Sequence, residues 1–577
     1  MAEITAPEYI SPYVVTVSGG LVLDRDVYTM PVGAATILQN FEPSVKGGYR
    51  RLSGTAKYDA NLLGGATDTV LGVAIFADKV IAASGTIVQE SSGSGWSSID
   101  TGRTSAGRYR FEEYNFTTNE NRLIFADGTN AASTYNGTTV VDIKGSTTIS
   151  ATGSASGSST SLSVTSAAGI AEGMYIGGTN IGSGAKVSSV SGTTITMSVA
   201  TTGTISSASV TFAGLGTAPT NPSMVAAFKN HMFYAGMSAE PNTIIFSALG
   251  DENDFTTSNG AGSLNVDSTI VAIKSFRESL MIFCEDRIYK LTGNALADFK
   301  IEPVSRNVGC SDAFSVQEIG GDILFLAPDG LRTVAGTARI GDVELGTVSK
   351  QIQDRINDIG FDNVSSVVIR GKSQYRLFFP TTGGLETSAK GLIGVLKSNP
   401  QGQLGWEYSD IRGLKPSCCV SGFVSGVETI IHGGFDGYVY KQESGNTFAG
   451  TAMTALYRSP DLTMGDAGIR KTMQRINVNY DPEGAVNVSL FVKYDFEDAG
   501  TPQPSAYTLT TANTAAVYGS SATLYDSAVY GAEGMPIVRQ SVEGSGFTVV
   551  IRLTDTSSNP PITLKGFELE FTPGARM

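Results

Sequence analysis

The stretch His231–Phe255, HMFYAGMSAEPNTIIFSALGDENDF, holds one of the two histidines of the chain and ends in Asp251, Glu252 and Asp254. A histidine works as a catalytic base only beside a nucleophile and an orienting group. His231 stands instead in an apolar run next to Met232 and Phe233, and His432 lies in a similar run, TIIHGGFDG. Neither has a G-x-S-x-G turn beside it, so both read as structural histidines. Three carboxylates in four residues suggest calcium, but GDENDF lacks the D-x-[DN]-x-[DN]-G loop. Two carboxylates are enough for glycoside hydrolysis. The segment SSGSGWSSID around Trp96 has the outline of the Asp-containing turn of sialidase-type propellers, yet its Asp is missing and the motif is not repeated. GSGAKV matches part of a phosphate loop but has no helix after it. The residues therefore predict no enzyme, no metal and no cofactor. Asp251, Glu252 and Asp254 read as a solvated turn at a strand edge. In a ring of identical chains such a turn repeats around the axis, which makes these three the candidates for lining a channel to which DNA does not stick.

The four cysteines, Cys284, Cys310, Cys418 and Cys419, fit no zinc spacing and read as reduced thiols. A net charge of −14 leaves no basic footprint for duplex DNA. The opening MAEITAPEYISPY has neither a basic start nor an apolar run, and no stretch reaches the length of a membrane span. A soluble protein made in a cytoplasm is expected.

The elements that would position these residues are β-strands. With 577 residues, 68 of them Gly and only 16% charged, the chain has the composition of an all-β protein. From about residue 70 a unit recurs: an apolar strand, a tight polar turn, and a second strand ending in Gly. Examples are VLGVAIFADKVIAASG, SLMIFCEDRIYKLTG and ETIIHGGFDGYVYKQESG. About six or seven such units, spaced roughly 35 to 50 residues apart, predict the blades of a β-propeller, with a β-sandwich array as the competing architecture. The expected organisation is an irregular β segment over 1–69, propeller over 70–145 and 214–449, an Ig-like β-sandwich inserted at 146–213, and a C-terminal β-sandwich over 450–577. The insert is almost all Ser, Thr, Gly, Ala and Val; Glu172 and Lys186 are its only charges. In TVSKQIQDRINDIG, Val348, Ile352, Ile356 and Ile359 share one helical face, with Thr347 or Ser349 as the cap and Gly360 as the stop. A Tyr-rich loop, AVYGSSATLYDSAVYG, offers Tyr518, Tyr525 and Tyr530 as partner-contact candidates.

The N-terminal run carries Gly19-Gly20-Leu21, Pro31, Asn40-Phe41, Gly47-Gly48, Arg51 and Gly54. With NTIIFSALGDENDF and the ending RSPDLTMGDAGIRKTMQRINVNYD…LKGFELEFTPGARM, it resembles the tail nozzle proteins of short-tailed bacteriophages. These are also called tail tubular protein B or packaged-DNA stabilisation proteins. The resemblance implies a structural virion protein, assembled in the host cytoplasm into the virion tail. It implies a six-fold ring below portal and adaptor that extends the DNA channel and retains the genome. Tail fibres or a needle would attach to it, and genomic DNA would pass without sequence-specific binding. No catalytic residue carries over. The competing role is a receptor- or glycan-binding tail component with weak glycosidase activity.

Overall fold

The computed structural model describes residues 11–576 except 106, 117–119, 144–148, 171, 214–215, 336–346, 360–363, 382–388, 399–403 and 512–536. The protein is all-β, and its strands are cut by turns whose backbone matches the twist of a hairpin. Ala77 and Asp78 (φ 48° and 61°), Lys229 and Asn230 (50° and 58°), and Gly320 and Gly321 (60° and 76°) each fill a two-residue turn with positive φ at both positions. That is the primed geometry a two-residue hairpin needs. In the first of these turns Lys79 already pairs with Phe76, so the pair that turns the chain is Ala77–Asp78.

Among the described residues such hairpins extend into seven antiparallel meanders. Their first strands are Val70–Phe76, Arg110–Tyr114, Met224–Phe228, Ile270–Phe276, Gln317–Ile319, Ser365–Ile369 and Cys418–Val424. Each meander shares a buried apolar cluster with the next. Phe76 and Ile81 pack with Leu123 and Phe125. Ile124 packs with Tyr234, Phe246 with Ile282, and Phe283 with Phe325. Leu324 packs with Tyr375, and Val367 with Ile430. Ile431 then packs with Val80, so the seventh meander closes on the first. The fifth has three strands among the described residues; the seventh takes its fourth from Thr55–Lys57, far away in sequence.

The N-terminal residues are distributed among the other parts. Ser11–Thr16 lies along the C-terminal strand Ile562–Arg576. Ile37–Gln39 sits between Leu404–Arg412 of the sixth meander and Ala455–Arg458, fusing both into a nine-stranded sheet. Phe41–Pro43 and Tyr49–Arg51 form a hairpin that also reaches the C-terminal strand. Close approach explains two of the glycines here. A Cβ on Gly48 (φ 82°) or on Gly54 would lie 2.2 Å from the carbonyl oxygen of Leu564 or of Thr447. Beyond residue 450 the strands are long, as expected. Ile469–Pro482, Val486–Tyr494 and Ile562–Arg576 belong to two sheets that share one large apolar cluster.

The insert forms one six-stranded antiparallel sheet from Ile149–Ala155 to Ile205–Ala213. Its cluster of Leu162, Ile176, Ile195 and Phe212 contains only its own residues. The expected helix is a single 3₁₀ turn, Lys350–Ile352, running into Gln353–Asn357. Ile352, Ile356 and Ile359 are buried on one face, against the fifth and sixth meanders and the C-terminal sheets. Neither expected cap hydroxyl caps it. Ser349 Oγ accepts from Leu331 N at 3.0 Å, and Thr347 Oγ1 donates to Asp329 at 3.4 Å. Gly360 lies outside the described residues. Among the described residues no helix is long and apolar enough to cross a membrane.

Candidate functional site

The acidic knot is not a solvated turn. Glu252 is 9% exposed and Asp254 2%. Asp254 accepts from Thr256 N at 2.8 Å and from Asn259 Nδ2 at 2.7 Å. Glu252 pairs with Arg122 at 3.1 Å, and its backbone carbonyl accepts from Tyr234 OH at 2.7 Å. Burial pushes the Glu252 carboxyl above its ordinary value, and Arg122 pulls against that push.

The insert explains why the turn is covered. Its only two charges both face the ring of meanders: Glu172 meets Arg122 at 3.4 Å, and Lys186 meets Asp251 at 3.2 Å. Asn253 Nδ2 adds a bond to Glu172 O at 3.3 Å. A seam cavity of about 400 Å³ lies between the insert, the second meander and this turn. Asp251 thus pairs with the insert, Glu252 with the Arg122 that the insert's Glu172 also meets, and Asp254 with its own loop, which corrects the expectation of a solvated turn. Tyr518, Tyr525 and Tyr530 lie outside the described residues.

Both histidines are buried inside strands. His231 Nδ1 lies 2.7 Å from Ser247 O, which fixes it as the donor, and Phe233, Phe246 and Phe299 surround the ring edge-on. His432 stacks on Tyr440 at 5.1 Å. Burial, reinforced by Arg376, holds its imidazole down at about 3. The four cysteines are free thiols.

A second concave site lies on the axis, where all seven first strands converge around a cavity of about 390 Å³. Arg108 and Arg110 reach across it to the start of the fifth meander. Their guanidinium carbons stand 3.6 and 4.4 Å from the Phe314 ring centre. Arg108 Nη2 also donates to Ser417 O at 2.8 Å. Burial lowers Arg110 to about 10, against the opposing pull of Asp312. Glu112, on the same face of its strand as Arg110, is pushed up by burial and drawn down by Lys274.

Sequence reasoning passed over this site because its residues come from seven separate strands. It also passed over Asp59. In the turn around Trp96, whose own Asp is missing, Asp59 supplies the carboxylate from elsewhere in the chain. It accepts from Ser91 Oγ at 2.7 Å and Gly95 N at 2.5 Å, while Trp96 Nε1 donates to Asn61 O at 3.2 Å. A further network, Glu42, Arg376, Lys372 and Glu443, joins the N-terminal hairpin to the sixth and seventh meanders. Only the spacing of charged residues among apolar strands hinted at it.

No family model matches the chain, and no curated protein matches it. Similar solved structures include the computationally designed Ika8 protein, at 12% identity and a TM-score of 0.33 over 67% of this chain and 99% of that one. The extracellular domain of a hybrid two-component system from B. thetaiotaomicron aligns at 11% identity and 0.34, over 75% and 44%. Saccharomyces cerevisiae Sqt1 aligns at 11% and 0.33, over 68% and 98%. At such scores these likenesses carry no argument about this chain.

Proposed function

We propose that this chain is a structural subunit of a short-tailed phage tail, the nozzle ring that extends the DNA channel below portal and adaptor, retains the packaged genome and offers attachment to tail fibres or a needle. In this reading the seven meanders are the blades of a propeller, sealed by the N-terminal strand Thr55–Lys57. The insert is an Ig-like module, and the last 128 or so residues are a β-sandwich carrying ring contacts.

The observation that carries the reading is where the phage-like residues sit. Gly48 and Gly54 are the close approaches described above. Asn40 Nδ2 donates to Arg412 O and Thr454 O at 3.0 and 2.8 Å. Arg51 pairs with Asp555 at 3.2 Å with both side chains buried. Asn40, Gly48, Arg51 and Gly54, four of the residues that resemble the nozzle family, thus bind the N-terminal segment to far parts of the chain, which is where a family sharing this architecture would hold its pattern. A ring of six copies needs heterologous contacts between identical surfaces, and a rigid closed body suits a load-bearing conduit. A net charge of −14 suits DNA that slides rather than binds.

The test is electron microscopy and DNA quantification on particles from a phage lacking this chain. Particles with a portal but a blunt tail, leaking or empty of DNA, are expected. Full particles with intact tails that fail only to adsorb would overturn the nozzle and select the receptor- or glycan-binding role.

A further inference from the structure

The axial cavity contains an asymmetry in its hydrogen bonding. Its neutral donors are spent. Gln317 Nε2 donates to Ser366 Oγ at 3.1 Å, Ser366 Oγ to Phe314 O at 2.5 Å, and Ser421 Oγ to Glu428 at 3.1 Å. Arg110 and Lys274 line the same space half-buried, and neither side chain makes a hydrogen bond or ion pair with any described residue. The flat face of Arg110 rests on Phe314, so its N–H edge is left free. A partly buried guanidinium without an acceptor is costly unless water or a ligand supplies one.

The unspent groups are donors and cations, so the complementary ligand is an acceptor and an anion. The charged groups of the lining balance, Arg110, Lys274 and Arg370 against Glu112, Glu113 and Glu318, so it is the unspent donors of Arg110 and Lys274, and not net charge, that call for an anion. The free edge of a guanidinium presents two parallel N–H groups, the geometry that matches a carboxylate. Size distinguishes between anions. A space of about 390 Å³ falls in the range of small-molecule sites, and inorganic phosphate would leave most of it empty.

We propose that the axial cavity is a binding site for a small organic carboxylate, held two-pronged by the edge of Arg110 and steered by Lys274, with Phe314 backing the guanidinium. The site does not depend on a tail role and stands or falls separately from it.

Isothermal titration of the full chain at low ionic strength tests it, with citrate as the probe and inorganic phosphate as the competing oxyanion. A saturable one-to-one heat with citrate is expected. It should weaken at least tenfold in Arg110→Gln and in Lys274→Gln, and stay unchanged in Arg475→Gln on the outer C-terminal sheet. Should Arg110→Gln fail to fold, Lys274→Gln and Arg110→Lys decide the matter, the latter because it keeps the charge and loses the fork. Weaker citrate binding in these two supports the site, and unchanged binding overturns it. Phosphate binding more tightly than citrate overturns the carboxylate assignment. The absence of saturable heat with either anion overturns the site altogether.

Discussion

His432 gives the protein a pH dependence whose size follows from its surroundings. It lies on the second strand of the seventh meander, paired with Cys419 and Tyr440 on either side. Burial first, and the Arg376 charge second, hold its imidazole at about 3 against an ordinary 6.5. The folded state therefore refuses a proton that the unfolded state accepts. For a depressed histidine the stability contribution is fully present above the unfolded value of 6.5 and is lost as pH falls towards about 3. Between pH 7 and pH 5 only the unfolded state takes up the proton, and linkage gives a loss of about 2 kcal/mol. Other groups titrate in that window too, so the quantity to measure is a difference. His432→Phe keeps a flat ring against Tyr440 and removes the titration. Glu443 stays ionised throughout, because Arg376 and Lys372 outweigh the upward push of its burial. Urea unfolding of both proteins at pH 7, 6 and 5 is the assay. The stability of the parent relative to the variant should fall by about 2 kcal/mol across the series. A difference that stays flat would mean that the imidazole is hydrated or already charged, and the burial argument would fail.

Three further perturbations test the junctions. Replacing Glu172 and Lys186 together by Gln should release the insert from the ring of meanders while its own core stays folded. The pairs are partly exposed, so the docking loss is about 1 kcal/mol for each at most; faster hydrogen exchange of the Asn253 amide reads it, and 0.5 M salt should mimic it in the parent. Arg51→Met strands a buried Asp555 and should cost about 3 to 5 kcal/mol in urea unfolding. Arg51→Met with Asp555→Leu should recover most of that loss, and no recovery would refute the pairing. Asp59→Ala should cost about 1 to 3 kcal/mol by leaving Ser91 and Gly95 without their acceptor, and should change the fluorescence of the neighbouring Trp96.

What could be read from sequence was what neighbours in sequence decide. The strand runs, the two-residue turns and the Ile352, Ile356, Ile359 face depend on residues a few positions apart, and the structure has them. The cap hydroxyls were misread because Ser349 is claimed by Leu331, a partner 18 residues away. The acidic knot was misread for the same reason on a larger scale. Nothing near Glu252 in the chain shows that Arg122, 130 residues earlier, will bury it, or that Lys186, 65 residues earlier, will reach Asp251. The insert did carry a signal of this. A segment with two charges in nearly seventy residues has no need of them for solubility, given its many hydroxyls. Charges so sparse are better explained by a fixed partner, and both have one. The same reasoning applies in the axial cavity: Arg110 and Lys274 feel the charges of Asp312 and Glu112, yet among the described residues neither side chain makes a hydrogen bond. Two donors left unspent in a concave site give reason to look for their acceptor outside the chain.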